Sequence, residues 1–194
     1  MYKNMTDYFQ DKEIGDFKLN KFTIDGNDFR ARLSGLRSGD YMKLTHNGEI
    51  MMSNTNMEKR TNSNFVINAN GDVLIAGLGI GLIVLPIQDK EEVKSITIIE
   101  MNQEVIDIVA PQLPLNDKVK IVKGDIFEWK PERGTKYDVI YFDIWDYINS
   151  DVYEEEMKPL KKRFKNYLRT KTENPNRFIK CWTEYEAKNN MRLL

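Results

Sequence analysis

A glycine-rich apolar segment constrains the fold of this chain more than any other part of the sequence. Residues 72–87 read DVLIAGLGIGLIVLPI and carry glycines at positions 77, 79 and 81. Because about 20 apolar residues are needed to cross a bilayer, this run is too short to be a membrane span. Each glycine inside a helix costs about 1 kcal/mol relative to alanine. The segment therefore predicts a buried strand over residues 73–76, a tight glycine turn that lets the backbone approach a ligand, and then a helix.

The composition is that of one enzyme-sized unit without a strongly charged partner. The 194 residues can bury one core, and the formal net charge of −1 gives no reason to expect nucleic acid or a membrane surface as partner. The start of the chain, MYKNMTDYFQDKE, lacks the apolar centre of a signal peptide, and the single Cys181 allows no internal disulfide. We therefore expect a cytoplasmic protein. With one histidine and one cysteine, no metal site of the usual zinc composition is predicted.

Two patterns of strands divide the chain into two predicted domains. Residues 1–68 contain the short runs FKLNKFTI, FRARLSGL, YMKLT and EIMMS, separated by turn signals such as Asn47-Gly48. They predict a small antiparallel β region of about four strands, with a connecting helix near residues 57–68. In residues 69–194 strands alternate with helical stretches, which predicts an α/β core with a mostly parallel sheet. Its predicted strands are DVLIA, SITIIE, VKIVKGD, YDVIYFD and RFIKCWT.

Polar or glycine-rich positions follow the first four strands of this predicted core. The glycine turn follows the first strand, Glu100 ends the second, and Asp125 and Asp143 end the third and fourth. Any one of these residues alone could simply cap a helix or face solvent. Because ligands bind beyond the carboxyl ends of parallel strands, the four positions together predict a binding site there.

The spacing of the glycines helps to identify the ligand. A dinucleotide-binding fingerprint, G-x-G-x-x-G, would place its third glycine at position 82, which is Leu82 here. The observed G-x-G-x-G spacing suits a ligand without a pyrophosphate at the helix N-terminus. Glu100 could accept hydrogen bonds from two ribose hydroxyls, and Asp125 could accept one from an adenine amino group. A nucleoside with an amino-acid tail fits this set, and S-adenosylmethionine is such a molecule.

Four segments resemble successive motifs of class I S-adenosylmethionine-dependent methyltransferases, and within them those of spermidine synthases. The segments are VLIAGLGIG, ITIIEMNQEVI, VKIVKGDIFEW and YDVIYFDIWDY, and the resemblance extends from about Leu44 to Tyr147. It implies a Rossmann-like methyltransferase core that binds S-adenosylmethionine or its decarboxylated form. The implied cofactor-binding residues are Gly77, Leu78, Gly79, Gly81, Glu100, Met101, Asp125, Ile126 and Asp143.

Two departures from the spermidine synthase pattern bear on the acceptor. Ile80 stands in place of an acidic residue of the glycine loop, and residues 62–64, Asn-Ser-Asn, replace a Tyr-His-Glu segment. A bound polyamine needs acidic and aromatic partners. We therefore expect transfer of a methyl group to a small-molecule acceptor, in preference to transfer of an aminopropyl group to a polyamine. Cleavage of the cofactor and binding without catalysis are the remaining alternatives.

Asp143 and Asp146 in FDIWDY match two aspartates of the family's fourth motif, which implies catalytic roles for both. We assign proton removal from the acceptor to Asp146, with Asp143 orienting the acceptor or the cofactor. The alternative for Asp146 is that it only caps the following segment. Trp145 and Tyr147 are predicted to line the acceptor pocket, although plain packing is an equal alternative for Trp145.

The end of the chain leads to an expectation about assembly. The residues after the fifth predicted strand, EYEAKNNMRLL, are too few for the antiparallel hairpin that normally completes such a sheet. With a truncated hairpin the fifth strand would be an exposed edge, and exposed edges are usually covered. We therefore predict a homo-oligomer, most simply a two-fold dimer, that shields this edge or the N-terminal β region.

Overall fold

Two β-sheets organise the chain in the computed structural model, which describes residues 2–33 and 35–192. The first sheet is antiparallel, and its strands are hydrogen-bonded in the order in which they occur along the chain. The strands are β1 (Lys12–Ile14), β2 (Phe17–Ile24), β3 (Gly39–His46) and β4 (Glu49–Ser53).

The antiparallel sheet differs in one element from the sequence prediction. Asn47 and Gly48 both have positive φ and form the two-residue turn between β3 and β4, as the Asn-Gly signal predicts. The predicted strand FRARLSGL is wrong, because Phe29–Leu33 form a short helix, α1. Asp28 Oδ1 accepts a hydrogen bond from the Ala31 N–H at 3.0 Å, so a helix cap stabilises this alternative. The fourth strand is β1 instead.

The connecting helix, α2 (Asn56–Asn68), turns an unusual face toward the core. Its buried residues are Glu58, Asn62, Phe65 and Val66, whose spacing places them on one side of a helix. Two of the four are polar. Because polar side chains are seldom buried, Glu58 and Asn62 indicate polar surroundings on the inner side of α2.

The second sheet contains five parallel strands in the spatial order third–second–first–fourth–fifth. This order places the topological switch point beside the first strand, and it confirms the predicted α/β, Rossmann-like core. The strands are β5 (Gly71–Ala76), β6 (Val93–Glu100), β7 (Val119–Lys123), β8 (Val139–Phe142) and β9 (Phe178–Cys181). The helices of this region are α3 (Val84–Gln88), α4 (Gln103–Val109), α5 (Ser150–Val152), α6 (Lys158–Phe164) and α7 (Glu184–Lys188).

The central strand β5 is buried on both faces of the parallel sheet. Val73 and Ile75 belong to one hydrophobic cluster, and Leu74 and Ala76 belong to another, as the alternation of a strand requires. The first cluster also contains Leu19 from the antiparallel sheet, so the two sheets share one core. None of the helices in the described residues is long and apolar enough to cross a membrane.

A π-helical segment, Tyr153–Met157, lies between α5 and α6. The sequence predicts a helix only from about Pro159, whereas helical structure begins at Ser150. Asn149 Oδ1 accepts the Val152 N–H at 2.8 Å and caps this start. Single π-helical turns are rare and often occur at functional sites, because they change which side chains face a neighbouring surface.

Strand β9 lies at one edge of the parallel sheet and is followed by α7. Within the described part of the chain, no strand pairs with its outer side. The homo-oligomer that would cover such an edge stays a prediction.

A polar network joins the amino ends of β5 and β8, opposite the predicted site. The Arg169 guanidinium lies 2.7 Å from Asp72 Oδ2 and 3.3 Å from Asp138 Oδ2, and Asn174 donates to Asp138 Oδ1 at 2.8 Å. Burial alone would raise the pKa of Asp138. The Asp72 N–H, the Asn174 amide and Arg169 outweigh it and hold the pKa below its usual value.

Arg169→Ala should lower the free energy of unfolding by about 1–3 kcal/mol, because it leaves two carboxylates without their cation. In the wild type the stabilisation from Asp138 is fully present above the unfolded-state pKa of about 3.9 and is lost as the pH falls through the lower native pKa. The variant should therefore lose less stability on acidification, as measured by urea unfolding at several pH values. Arg133→Ala, at an exposed position, is the matched control, and equal effects of the two changes would contradict this account.

Candidate functional site

A cavity of about 460 Å³ opens at the carboxyl ends of the parallel strands. Its walls come from β4 and α2 on one side and from the segments after β5, β6, β7 and β8 on the other. The position is the switch point of the sheet, where an open α/β sheet binds its ligand. The antiparallel sheet therefore contributes directly to the site.

The lining of this cavity is acidic and apolar. No lysine, arginine or histidine of residues 2–33 and 35–192 lines it. The apolar part includes four methionines, at positions 51, 52, 57 and 101, and two tryptophans, at positions 145 and 182. The six lining carboxylates are those of Glu58, Glu100, Asp125, Asp143, Asp146 and Glu156.

The glycine turn brings the backbone of β5 very close to its neighbours. Gly77, Gly79 and Gly81 all have positive φ, and the first two line the cavity. A Cβ on Gly77 would lie 2.2 Å from the carbonyl oxygen of Asp143, so only glycine fits there. Of the other predicted cofactor-binding residues of this turn, Leu78 is buried in the core and Gly81 packs against Leu113, and neither lines the cavity.

The thioether of Met52 lies on the same turn. The Ile80 N–H donates to Met52 Sδ at 3.4 Å, and a Cβ on Gly79 would lie 2.1 Å from that sulfur. Met52 belongs to β4, so a side chain of the antiparallel sheet covers the glycine turn. Because methionine has three rotatable side-chain bonds, this cover can change its conformation when the cavity is occupied.

Glu100, at the end of β6, ties the glycine turn to the next helix. Its Oε2 accepts the Leu78 N–H at 2.9 Å, and its Oε1 accepts the Asn102 N–H at 2.8 Å. The residue is buried yet lines the cavity. Oε1 also accepts the Asn102 side-chain amide at 3.4 Å, so Oε2 is the oxygen that keeps a lone pair for a ligand that donates a hydrogen bond.

Asp125 follows β7 and organises the turn after it. Its Oδ1 accepts the Phe127 N–H at 2.8 Å, which leaves Oδ2 with no hydrogen bond to the described residues. Met101, Ile126 and Phe127 also line the cavity, and Met101 and Phe127 are 56% and 43% exposed. Exposed apolar side chains beside a free carboxylate oxygen suit a flat heterocycle that carries an amino group.

Asp143 follows β8, is half-buried and lines the cavity. Burial raises its pKa to about 7, although the neighbouring Asn62 amide acts in the opposite direction. Tyr141 donates its hydroxyl to Asn62 Oδ1 at 2.8 Å, which orients that amide with its nitrogen toward Asp143. A carboxylate with a pKa near neutrality is suited to general base catalysis.

Glu58, from α2, is the functional candidate that the sequence interpretation missed. It lines the cavity and is only 8% exposed. Burial, followed by the negative charge of Asp143, raises its pKa to about 8, while the Ser53 N–H lowers it. The signal in the sequence is the four-residue spacing of Glu58 and Asn62 on the inward side of a helix, which can be recognised only once that side is known.

The residues after Asp143 form the rim of the cavity. Asp146 lines the cavity but is exposed, whereas Tyr147 is 62% exposed and does not line it. Trp145 is buried against the cavity, and its Nε1 donates to Glu156 Oε2 at 2.7 Å. Glu156 belongs to the π-helical segment, which places this carboxylate at the wall. The structure thus brings together Asp143, Trp145 and Asp146 but leaves Tyr147 outside.

The comparisons with known proteins concern the fold. No protein-family model matches the sequence, and no curated protein matches it significantly. Solved structures that it resembles include the CcbJ methyltransferase from Streptomyces caelestis (16% identity, 57% of this chain and 45% of that chain, TM-score 0.45). They also include the N-methyltransferase NodS from Bradyrhizobium japonicum in complex with S-adenosylhomocysteine (12%, 59% and 58%, TM-score 0.46). A third is the spermidine synthase from Thermotoga maritima (18%, 75% and 50%, TM-score 0.46).

This chain spans about half the length of the solved structures that it matches. Its own strand order gives it a Rossmann-like fold, accompanied by a small antiparallel sheet. The Rossmann-like core that the four sequence motifs imply is therefore confirmed.

Proposed function

We propose that this protein binds S-adenosylmethionine and transfers its methyl group to a small-molecule amine. The observation that carries the proposal is the charge of the cavity at the switch point, which has six carboxylates and no lining basic side chain in the described residues. A sulfonium and an ammonium are both cations. A cavity with this lining attracts them and repels acceptors that carry phosphate or carboxylate.

The proposed cofactor contacts follow from the free hydrogen-bonding capacity of the strand ends. Glu100 would accept a hydrogen bond from the ribose through Oε2, which has a remaining lone pair. Asp125 would accept the adenine amino group through Oδ2, with Met101, Ile126 and Phe127 against the ring. Gly77 and Gly79 would let the amino-acid tail approach the backbone closely. Leu78 and Gly81 would support the turn without touching the ligand.

The cofactor supplies an activated methyl group on a good leaving group, so the protein mainly has to align the reactants. Trp145, fixed by Glu156, would form a rigid wall for the acceptor, and Asp146 would stand at the entrance. An amine arrives as an ammonium and must lose a proton before it attacks. Because Asp143 is half-buried with a pKa of about 7 and Asp146 is exposed, we assign proton removal to Asp143 and a positioning role to Asp146.

Aminopropyl transfer from decarboxylated S-adenosylmethionine is the second candidate, and one observation favours it. No lysine, arginine or histidine of the described residues lines the cavity, so a cofactor carboxylate would have no cationic side chain there as a partner. Residues 62–64 lack the glutamate of the Tyr-His-Glu segment of spermidine synthases. Glu58, one turn earlier in α2, would supply a carboxylate in its place. The absence of an acid in the glycine loop, where Ile80 is fully buried, still favours the methyl donor.

Product analysis by mass spectrometry tests both candidates. The protein is incubated with a panel of primary amines and either S-adenosylmethionine or its decarboxylated form, with Asp143→Asn as the control. A methylated amine with S-adenosylhomocysteine supports methyl transfer, and an aminopropylated amine with methylthioadenosine supports the second candidate. Methylthioadenosine without a modified amine indicates cofactor cleavage. Failure of every cofactor to bind would contradict the proposal.

Glu100→Ala should weaken binding of S-adenosylhomocysteine roughly 10- to 150-fold. A lost hydrogen bond to a charged group typically costs about 1.5–3 kcal/mol. Calorimetric titration gives the affinity, and circular dichroism shows whether the variant folds, since Glu100 also holds two backbone N–H groups. Glu155→Gln, which removes an exposed carboxylate outside the cavity, is the matched control. An unchanged affinity in folded Glu100→Ala would show that Glu100 does not bind the ribose.

A further inference from the structure

Glu58 is a buried carboxylate that lacks a cationic partner among residues 2–33 and 35–192. Within this part of the chain, the hydrogen-bond donor acting on it is the Ser53 backbone N–H. A buried carboxylate without a cation is costly unless it takes up a proton or a positively charged ligand. Glu58 lies in the first turn of α2, where the helix dipole favours a negative charge. The dipole acts equally on an exposed side chain, so it does not explain why Glu58 is buried.

A second carboxylate, that of Asp143, acts on Glu58 through its negative charge. The two residues come from α2 and from the end of β8, and both line the cavity. The amide nitrogen of Asn62 is buried and makes no hydrogen bond of normal geometry with the described residues. Tyr141 donates to the oxygen of this amide, and in the described residues no ion pair balances the charge of Glu58 or Asp143.

We propose that Glu58 and Asp143 together form the binding site for the acceptor nitrogen, which they receive as an ammonium. This inference rests on the proposed function and adds a residue and a proton route to it. Two carboxylates near each other cannot both be ionised cheaply, so the free pair holds one proton near neutral pH. An ammonium replaces that proton, which is released to solvent on binding.

The reaction then balances without any further reactant. One ammonium proton passes to the carboxylate pair, and the nitrogen lone pair attacks the methyl carbon. The carbon–sulfur bond breaks, and its electron pair stays on sulfur, which becomes a neutral thioether. The product leaves as a methylated ammonium, and the pair again holds one proton. The net result is one proton released for each turnover.

If Glu58 has a purely structural role, the variant Glu58→Gln should melt at a lower temperature than the wild type. Glu58→Gln keeps the size of the side chain and its acceptor for the Ser53 N–H but removes the charge. If Glu58 belongs to an ammonium site, the variant should melt at a higher temperature than the wild type without ligand. A pKa of about 8, above the usual carboxyl value, means that wild-type stability falls as the pH rises from about 4.5 to 8. The variant should lose the part of this fall that is due to Glu58 and keep the part due to Asp143, whose pKa is also raised.

The decisive experiment measures amine binding and thermal stability on the same full-length variants. Butylammonium is the probe, 1-butanol is the neutral analogue, and S-adenosylhomocysteine reports on the cofactor site. Glu58→Gln should weaken butylammonium binding by about tenfold or more, because a charged contact is lost. It should leave S-adenosylhomocysteine affinity within about twofold. Glu155→Gln removes the same charge from the exposed surface and should change neither affinity.

Calorimetry in two buffers with different ionisation enthalpies should also show proton release when wild-type protein binds butylammonium at neutral pH. Unchanged butylammonium affinity in Glu58→Gln, or an equal loss for 1-butanol, would overturn the inference. A lowered melting temperature of the variant would overturn it as well. If S-adenosylhomocysteine fails to bind the wild type while the amine results hold, the proposed function fails and the ammonium site stands.

Discussion

Asp143→Asn should lower turnover by about 100- to 10,000-fold, the usual effect of removing a general base. Asp143 is half-buried, lines the cavity and has a pKa raised to about 7 by desolvation. Asparagine has nearly the same shape but cannot accept a proton. The carbonyl contact between Asp143 and the glycine turn belongs to the backbone and is kept, so S-adenosylhomocysteine affinity should change little.

The pH profile distinguishes this role from a loss of positioning. In the wild type kcat/KM should rise with pH through about 7, because the base must be deprotonated to act. In Asp143→Asn this step should disappear, and activity should partly return at high pH as the free amine becomes available. Steady-state kinetics between about pH 6 and 10 provide the measurement, with the amine identified by the product screen.

Asp146→Asn is the matched comparison, since it makes the same chemical change three residues later at the exposed rim. We expect a smaller loss of kcat/KM, mainly through a higher KM, because Asp146 is exposed and can attract an incoming cation without surrounding it. A larger loss in kcat for Asp146→Asn than for Asp143→Asn would return the role of base to Asp146. Normal turnover in both variants would exclude the pair from catalysis.

Gly77→Ala should destabilise the protein by about 3 kcal/mol or more and abolish S-adenosylhomocysteine binding. The added Cβ would lie 2.2 Å from the Asp143 carbonyl oxygen, and the residue has a φ of 94°. Backbone strain of this kind costs about 1–3 kcal/mol by itself, and moving β8 away from β5 adds to it. For a chain of this size each kcal/mol corresponds to about 2–4 °C in Tm.

Gly79→Ala is the control for this prediction, because the same atom is added to the same turn. Its Cβ would meet Met52 Sδ, the far part of a flexible side chain, which can move aside. We expect a smaller loss in Tm, and Met52→Ala should recover part of it when combined with Gly79→Ala. Equal effects of the two alanines in thermal melts would contradict the distinction between backbone and side-chain contacts.

Features that depend on nearby residues were predictable from the sequence. The apolar runs and their turn residues predict the strands β5 to β9, and the glycine spacing predicts the turn after β5. Because parallel strands carry their ends to one edge, the sequence pattern alone groups Glu100, Asp125 and Asp143 at one site. The helix in place of FRARLSGL was not predictable from alternation, since the alternation says nothing of the Asp28 side chain that accepts the Ala31 N–H at the start of the helix.

The sequence by itself determined the parallel core, the order of its strands along the chain and the edge at which the candidate site lies, because periodicity and turn chemistry are local properties. Only the tertiary structure decided that Glu58 and Asp143 line the same cavity and that Glu156 reaches Trp145. Which side of α2 is buried depends on the packing of both sheets around it. The direction of Glu156 depends on a π-helical turn, which no local pattern specifies. The acidity of the cavity is therefore a property of the assembled fold, since its six carboxylates come from segments as far apart as residues 58 and 156.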